Sequence, residues 1–196
     1  MFKTTLRFFV VFSFFFISNT SFSQENNKIL VYYGISDSKL LRTDDLIGAG
    51  SEEIENLTEF GFRYLRKIND HLAIETGVNY TTADLKITPH YMGEPVQTRG
   101  EEFELISIPI YANYTLWKYF FINGGPMVDF QLSETTTDSQ SGIGYGLGFG
   151  GKYNFNNFSI FLNPNFKRHA VIPFEKEQFH QKLTEFGIQF GLGYSF

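Results

Sequence analysis

From position 184 to its end the chain alternates with a period of two. Phe186, Ile188, Phe190, Leu192, Tyr194 and Phe196 interleave with Glu185, Gly187, Gln189, Gly191, Gly193 and Ser195. Successive side chains of a β-strand point to opposite faces, so this segment predicts a strand with one bulky apolar face and one small or polar face. The same pattern recurs upstream. In 142–155, Ile143, Tyr145, Leu147, Phe149, Tyr153 and Phe155 oppose five glycines and Lys152. In 158–170, Phe158, Ile160, Leu162 and Phe166 oppose Ser159, Asn163, Asn165 and Lys167. Segments 118–133, 103–116, 71–86 and 54–66 alternate in the same way, and 28–36 reads as a strand whose two faces the pattern does not separate. No long stretch has helical periodicity. The glycine run at 142–151 has neither a following helix nor a G-K-[ST] ending, which removes a phosphate loop.

The connections between these eight segments alternate in length. Ile68-Asn69-Asp70, Trp117-Lys118 and Asn156-Asn157 are short turns, whereas 37–53, 87–101, 134–141 and 173–181 are longer and polar. Strict alternation of this kind predicts an antiparallel up-and-down meander, with the short turns at one end and the long loops at the other. The fold expected is an all-β, eight-stranded barrel.

Alternation alone leaves two orientations. A soluble lipocalin-like barrel would turn the apolar face inward, around an apolar ligand. A transmembrane barrel would turn it outward, against lipid. Three features favour the second. The opposite face is rich in Gly, Ser, Asn and Thr rather than the Lys and Glu of a watery exterior, and small residues suit the crowded inside of an eight-stranded barrel. Aromatics gather in two tiers. Tyr64, Tyr114, Trp117, Phe120, Tyr153, Phe155, Phe158, Tyr194 and Phe196 lie near the short turns, and Tyr80, Phe130, Tyr145, Phe166 and Phe186 near the long loops. A pair such as Phe120 and Phe130 is ten residues apart, which on a tilted strand spans roughly 25 Å, the height of an outer-membrane apolar band. The segments are also long for globular strands, which average about 5–6 residues.

The N-terminus adds a location. Lys3 and Arg7 precede an apolar run from Phe8 to Ile17, and Ser21 and Ser23 flank Phe22 as a small-x-small site. This is the form of a cleaved export signal at 1–23, too short in its apolar part for a spanning helix. Cleavage leaves a barrel over 24–196 with 14 Lys and Arg against 21 Asp and Glu, hence a formal charge of −7. An acidic chain without a basic footprint is not expected to bind nucleic acid. Cysteine is absent, which excludes disulfides, thiolate metal sites and an acylated N-terminal cysteine. No spacing suits a metal or an organic cofactor, and none is expected.

The signal ending at Ser23-Gln24, the Leu105-Ile106-Ser107-Ile108-Pro109-Ile110 segment, the glycine strand 142–151 and the terminal Tyr194-Ser195-Phe196 together resemble small bacterial outer-membrane barrels of the OmpA/OmpX type. Within that group the chain resembles the PorT-like outer-membrane beta-barrel domain family. The resemblance implies a Gram-negative outer membrane, a lipid bilayer partner and recognition of the C-terminal strand by the barrel-assembly machinery. It implies no single activity.

Candidate chemistry is sparse. Glu59, Arg63, Glu75, Asp129, Lys152, Lys167 and Glu185 fall on the inward face, where bare charge is costly and pairing is expected. They read as a hydrogen-bonded plug, with a proton or small-ion path as the sharper alternative. Of His71, His90, His169 and His180, the last three fall in or near long loops, where Glu94, Glu175 or Glu177 could orient one toward Ser139 or Ser141. No spacing supports such a hydrolase or acyltransferase, and no catalytic residue is assigned. Leu40, Leu41, Leu46 and Ile47 in 37–53, with Phe174 and Phe179 in 173–181, mark loops able to dock another envelope protein or a surface ligand. The expectation is a monomeric, non-enzymatic barrel with a structural or interaction role. The alternatives are a soluble binder of apolar ligands and a barrel enzyme acting on lipid or peptide.

Overall fold

The computed structural model describes residues 26–41, 51–88, 99–134, 138–175 and 181–196. The export signal, His90, His180, Glu94, Glu177, Leu46, Ile47 and Phe179 lie outside them. Eight strands follow in chain order: β1 (Asn27–Leu41), β2 (Ser51–Lys67), β3 (Leu72–Thr88), β4 (Arg99–Leu116), β5 (Phe120–Gln131), β6 (Gly142–Phe155), β7 (Phe158–Pro173) and β8 (Lys182–Ser195). Each pairs antiparallel with the next, and β8 returns to β1 from Lys28↔Ser195 to Leu41↔Lys182, closing the barrel. The three short turns stand where the pattern put them. The strands run further into the long loops than expected: β1 continues to Leu41, β2 begins at Ser51, and β3 and β4 reach Thr88 and Arg99. Leu40 and Leu41 are therefore strand residues rather than an amphipathic piece on the rim.

Orientation follows the alternation. Phe190, Leu147 and Ile122 point outward and are 50%, 56% and 45% exposed. Glu59, Arg63, Glu75, Asp129, Lys167 and Glu185 are buried inside. A soluble barrel with its apolar face around a ligand is thereby excluded. The faces of β1, ambiguous in sequence, resolve with Leu30, Tyr32 and Gly34 inward and Val31, Tyr33 and Ile35 outward.

The short-turn girdle is a continuous run of rings. Tyr119 stacks on Tyr153 and Tyr153 on Phe155, and the contacts continue through Phe158 and Tyr194 to Phe196, all with centroids 5.2–6.5 Å apart. The second tier is sparser, with Tyr145 against Phe166 and Phe130 against Phe174 at 6.2 and 6.0 Å. At its upper edge the Tyr80 hydroxyl donates to Glu104. Above that edge the chemistry of the wall inverts while the parity of the strands does not. On β3, Ala83 and Leu85 turn inward and Asp84 and Lys86 outward. On β4, Phe103 and Leu105 are inward and Glu102 outward. The strands continue past the apolar band into a polar medium, so the inside becomes the apolar side.

Glycine on the inward face makes room for rings. Tyr32 lies opposite Gly61 in the β1–β2 register, and a Cβ on Gly61 would occupy the Tyr32 ring. Gly146 of β6 leaves the matching space for Tyr111. In an interior this narrow an aromatic side chain can cross only above a residue with no side chain.

Two outcomes check this architecture. Gly61→Val should destabilise the barrel by about 1–3 kcal/mol through overpacking, and Tyr32→Ala in the same chain should restore part of the folded fraction, read from the heat-dependent gel shift. Leu147→Arg should cost ~2–4 kcal/mol in lipid, as an arginine near the bilayer midplane does, whereas Lys86→Arg should leave the unfolding midpoint unchanged.

Candidate functional site

The interior divides into three levels. The central level is a hydrogen-bonded ionic network. Toward the short turns, Glu75 of β3 forms an ion pair with Arg63 of β2 at 3.1 Å. It also accepts from Asn113 Nδ2 at 2.8 Å and Asn123 Nδ2 at 3.2 Å. Arg63 then donates through Nη2 to the Tyr32 hydroxyl at 2.7 Å and through Nε to Asn79 Oδ1 at 3.1 Å. The guanidinium also lies over the Tyr32 and Tyr111 rings, 5.1 and 5.3 Å from their centroids. The Tyr32 hydroxyl donates to Glu59 Oε1 at 2.7 Å.

Glu59 links this group to the next. It accepts from Gln189 Nε2 at 2.7 Å and pairs with Lys167, which reaches Glu185 at 3.1 Å. His169 sits between two carboxylates, with Nε2 2.9 Å from Glu185 Oε1 and Nδ1 3.1 Å from Asp129 Oδ2. Only the Nε2 contact with Glu185 has hydrogen-bond geometry; Nδ1 and Asp129 Oδ2 face each other as a close charge contact without a hydrogen bond. Ser107 Oγ donates to Asp129 Oδ1 at 2.6 Å. Four carboxylates, one arginine, one lysine and this histidine thus share one buried network. Charges held in so narrow a space are tolerable because each has opposite charge and hydrogen-bond partners at contact distance.

Six of the seven inward ionisable residues predicted from sequence belong to this network. Lys152 does not, and stands instead at the short-turn mouth. His169 is corrected in the other direction. It belongs inside the barrel rather than near a loop, as its odd parity with Asn163, Asn165 and Lys167 would have indicated. Its surroundings include a real irregularity. Between Ile143↔Ile172 and Tyr145↔Arg168 strand β7 carries two extra residues, and Ala170 takes a φ of 44° there. Both His169 and Ala170 are fully buried.

The level facing the long loops is an apolar cap. Leu57, Ala83, Phe103, Leu105 and Leu183 form one buried cluster, with Leu40 and Ile54 packed against it. Pairing between β7 and β8 stops at Arg168↔Thr184, while β8 continues along β1 and β7 along β6. Gln140, from the link between β5 and β6, satisfies the freed edge of β8. Its side chain donates to the Gln181 carbonyl at 3.0 Å and accepts from the Leu183 amide at 2.8 Å. Asp138 accepts from the Gln181 amide at 2.7 Å.

The third level, at the short turns, is an open vestibule of about 370 Å³ that ends against Leu30, Phe121 and Phe161.

The hydrolytic constellation is not assembled among the described residues. Ser141 Oγ accepts from the Gln131 amide at 3.0 Å and Ser139 Oγ from the Ser141 amide at 3.3 Å, so both hydroxyls brace the loop backbone. Glu175 is exposed, and His71 stacks on Tyr114 at the opposite end of the barrel. No group of three or more His, Cys, Asp or Glu side chains with metal-holding geometry occurs among the described residues.

No family model and no curated protein matches the chain. Solved structures with the same fold do. The outer-membrane protein AlkL in lipid bilayers is 13% identical, with a TM-score of 0.56 and coverage of 91% of this chain and 94% of AlkL. OprG of Pseudomonas aeruginosa is 13% identical, with a TM-score of 0.49 and coverage of 87% and 96%. Ail, the attachment invasion locus protein of Yersinia pestis, is 16% identical, with a TM-score of 0.44 and coverage of 87% and 99%. At 13% identity the likeness to AlkL shows the fold alone, that of an outer-membrane barrel.

The network makes a stability prediction. Lys167→Met leaves Glu59 and Glu185 without their shared cation and should cost about 3–5 kcal/mol. Adding Glu59→Gln and Glu185→Gln to that variant should recover a large part of the loss. Urea unfolding in lipid vesicles, followed through the single tryptophan, Trp117, measures both.

Proposed function

We propose that the chain is a non-enzymatic, integral outer-membrane barrel of the PorT-like type, exported by cleavage after Ser23, that acts through its long loops rather than through its lumen. What supports this reading is an interior filled by side chains at two levels. The ionic network fills the middle of the barrel and the apolar cap, braced by Gln140, fills the end beneath the loops. A route for solute would have to separate buried charges from their partners, at a cost of several kcal/mol for each one left unpaired. A barrel of this strand number is filled by its own side chains, in contrast to the porins.

The polar extension beyond the apolar band supports the same conclusion. It carries the strands past the apolar band as a side-chain-filled stalk. Charged positions such as Asp84, Lys86 and Glu102 face outward on it, and apolar residues inside give it a core of its own. Such a stalk suits contact with another envelope protein or a surface ligand. The bilayer is the partner of the apolar belt below, and the alternating C-terminal strand ending in Phe196 fits recognition by the barrel-assembly machinery.

Two measurements test the reading. In planar bilayers the purified protein should give no discrete openings; stable unitary conductance would overturn the closed-lumen claim. Replacement of 89–98 or 176–180 by Gly-Ser linkers should preserve the heat-dependent gel shift and outer-membrane fractionation, yet abolish complementation of whatever phenotype deletion of the gene produces. Full complementation by both loop-replaced chains would place the function elsewhere.

A further inference from the structure

The vestibule at the short-turn end has a charge pattern that neither the sealed lumen nor the loops account for. Its lining includes Lys28, Lys67, Lys118 and Lys152, with His71 beside them. The acidic side chain among the lining residues is Asp70, which already pairs with Lys67 at 3.1 Å. The mouth therefore carries a cationic excess on a chain whose overall formal charge is −5. In the central network every charged group stands against opposite charge.

Lys152 is the telling member. It projects inward from β6, partly buried, between the open mouth and the wall at the vestibule's inner end. Its Nζ donates to Thr115 Oγ1 at 2.7 Å and lies 5.9 Å from the centre of the Phe121 ring. A neutral hydroxyl and an aromatic face leave the ammonium charge uncompensated. The charges that act on it across the mouth, those of Lys28 and Lys67, have its own sign. An ammonium group has three donors, and a partly desolvated cation with like-charged neighbours is stabilised by an anion placed among them.

We infer that the vestibule is a binding site for a small organic anion, a carboxylate or phosphate with an apolar portion, whose charged group lies among Lys152, Lys67 and Lys118 and whose apolar part rests on Phe121 and Phe161. Size agrees with this class. A space of about 370 Å³ falls at the lower end of the pockets that hold small ligands, which run from about 300 to 1,000 Å³. The mixture of a cationic rim and a ring-lined end excludes a purely apolar guest, since its entry would desolvate the lysines without replacing their water. The inference stands apart from the role proposed for the loops, because the two sites lie at opposite ends of the barrel.

The test is a titration of the full mature protein in phosphatidylcholine nanodiscs with phenyl phosphate, followed by backbone amide NMR, with benzyl alcohol as the neutral control. Saturable shifts should be confined to the amides around Thr115, Phe121 and Lys152. Lys152→Gln should weaken binding about tenfold, the scale of one charge-assisted hydrogen bond. The double variant Lys67→Gln, Lys118→Gln removes charge only at the rim and keeps the test open if the Lys152 variant fails to fold. Shifts that never saturate, an equal response to benzyl alcohol, or an affinity unmoved in the folded variants would overturn the site. Repeating the titration in discs containing phosphatidylglycerol separates the sources of such an anion. Competition assigns the site to a lipid headgroup, and undiminished binding assigns it to a free periplasmic anion.

Discussion

Backbone amides and carbonyls inside hydrocarbon have no water to turn to, and each one left unpaired costs several kcal/mol. Closure of β8 onto β1 is the answer to that constraint here, and most of the remaining structure follows from it. Once the ring is closed there is no edge strand, and every side chain must face either lipid or a narrow interior. The outward faces become a belt of Phe, Tyr, Leu and Ile bounded by rings. The inward faces must fill a small cylinder, which only a mixture of glycine, short polar residues and a few large side chains can do.

The interior then sets its own condition. Glu59, Glu75, Asp129 and Glu185 are remote from water and from one another in sequence, yet are held by Arg63, Lys167 and His169 in one connected set. Apolar replacements of similar volume could serve as well for stability alone, since a buried ion pair gains little over good packing. What the network adds is exclusivity of register. Shifting β2, β3, β5, β7 or β8 by one residue would move its charges onto the lipid face and leave their partners stranded inside.

The barrel is unequal along its axis. Toward the long loops it is apolar inside and charged outside, which is the arrangement of a soluble protein; at the short turns it opens into a cationic cup. The inversion on β3, from Tyr80 outward and Thr81 inward to Asp84 outward and Leu85 inward, marks where lipid gives way to water. On β3 and β4 the inward and outward positions alternate without a break across that boundary; only the solvent outside changes. The same reasoning explains why the strands outrun their expected ends. In sequence, Asp37 and Lys39 look like loop residues because a strand is usually recognised by its apolar face, and here that face has changed sides.

The sequence by itself determined the strand count, the hairpin order, the outward direction of Phe190, Leu147 and Ile122, and the inward position of seven ionisable residues. All of these are consequences of period-two alternation and of connection length, which are local properties. Which inward charge meets which was decided only by the tertiary structure. Lys167 and Glu59 are 108 residues apart, and their contact depends on how a closed ring brings β7 across to β2. The same holds for the burial of His169, whose parity was visible but whose carboxylate partners come from β5 and β8. It holds equally for the exclusion of Lys152 from the network and for the reach of Gln140 to the edge of β8. Alternation assigns a side chain to a face, but height and azimuth on that face come from register and closure, and electrostatic pairing depends on all three.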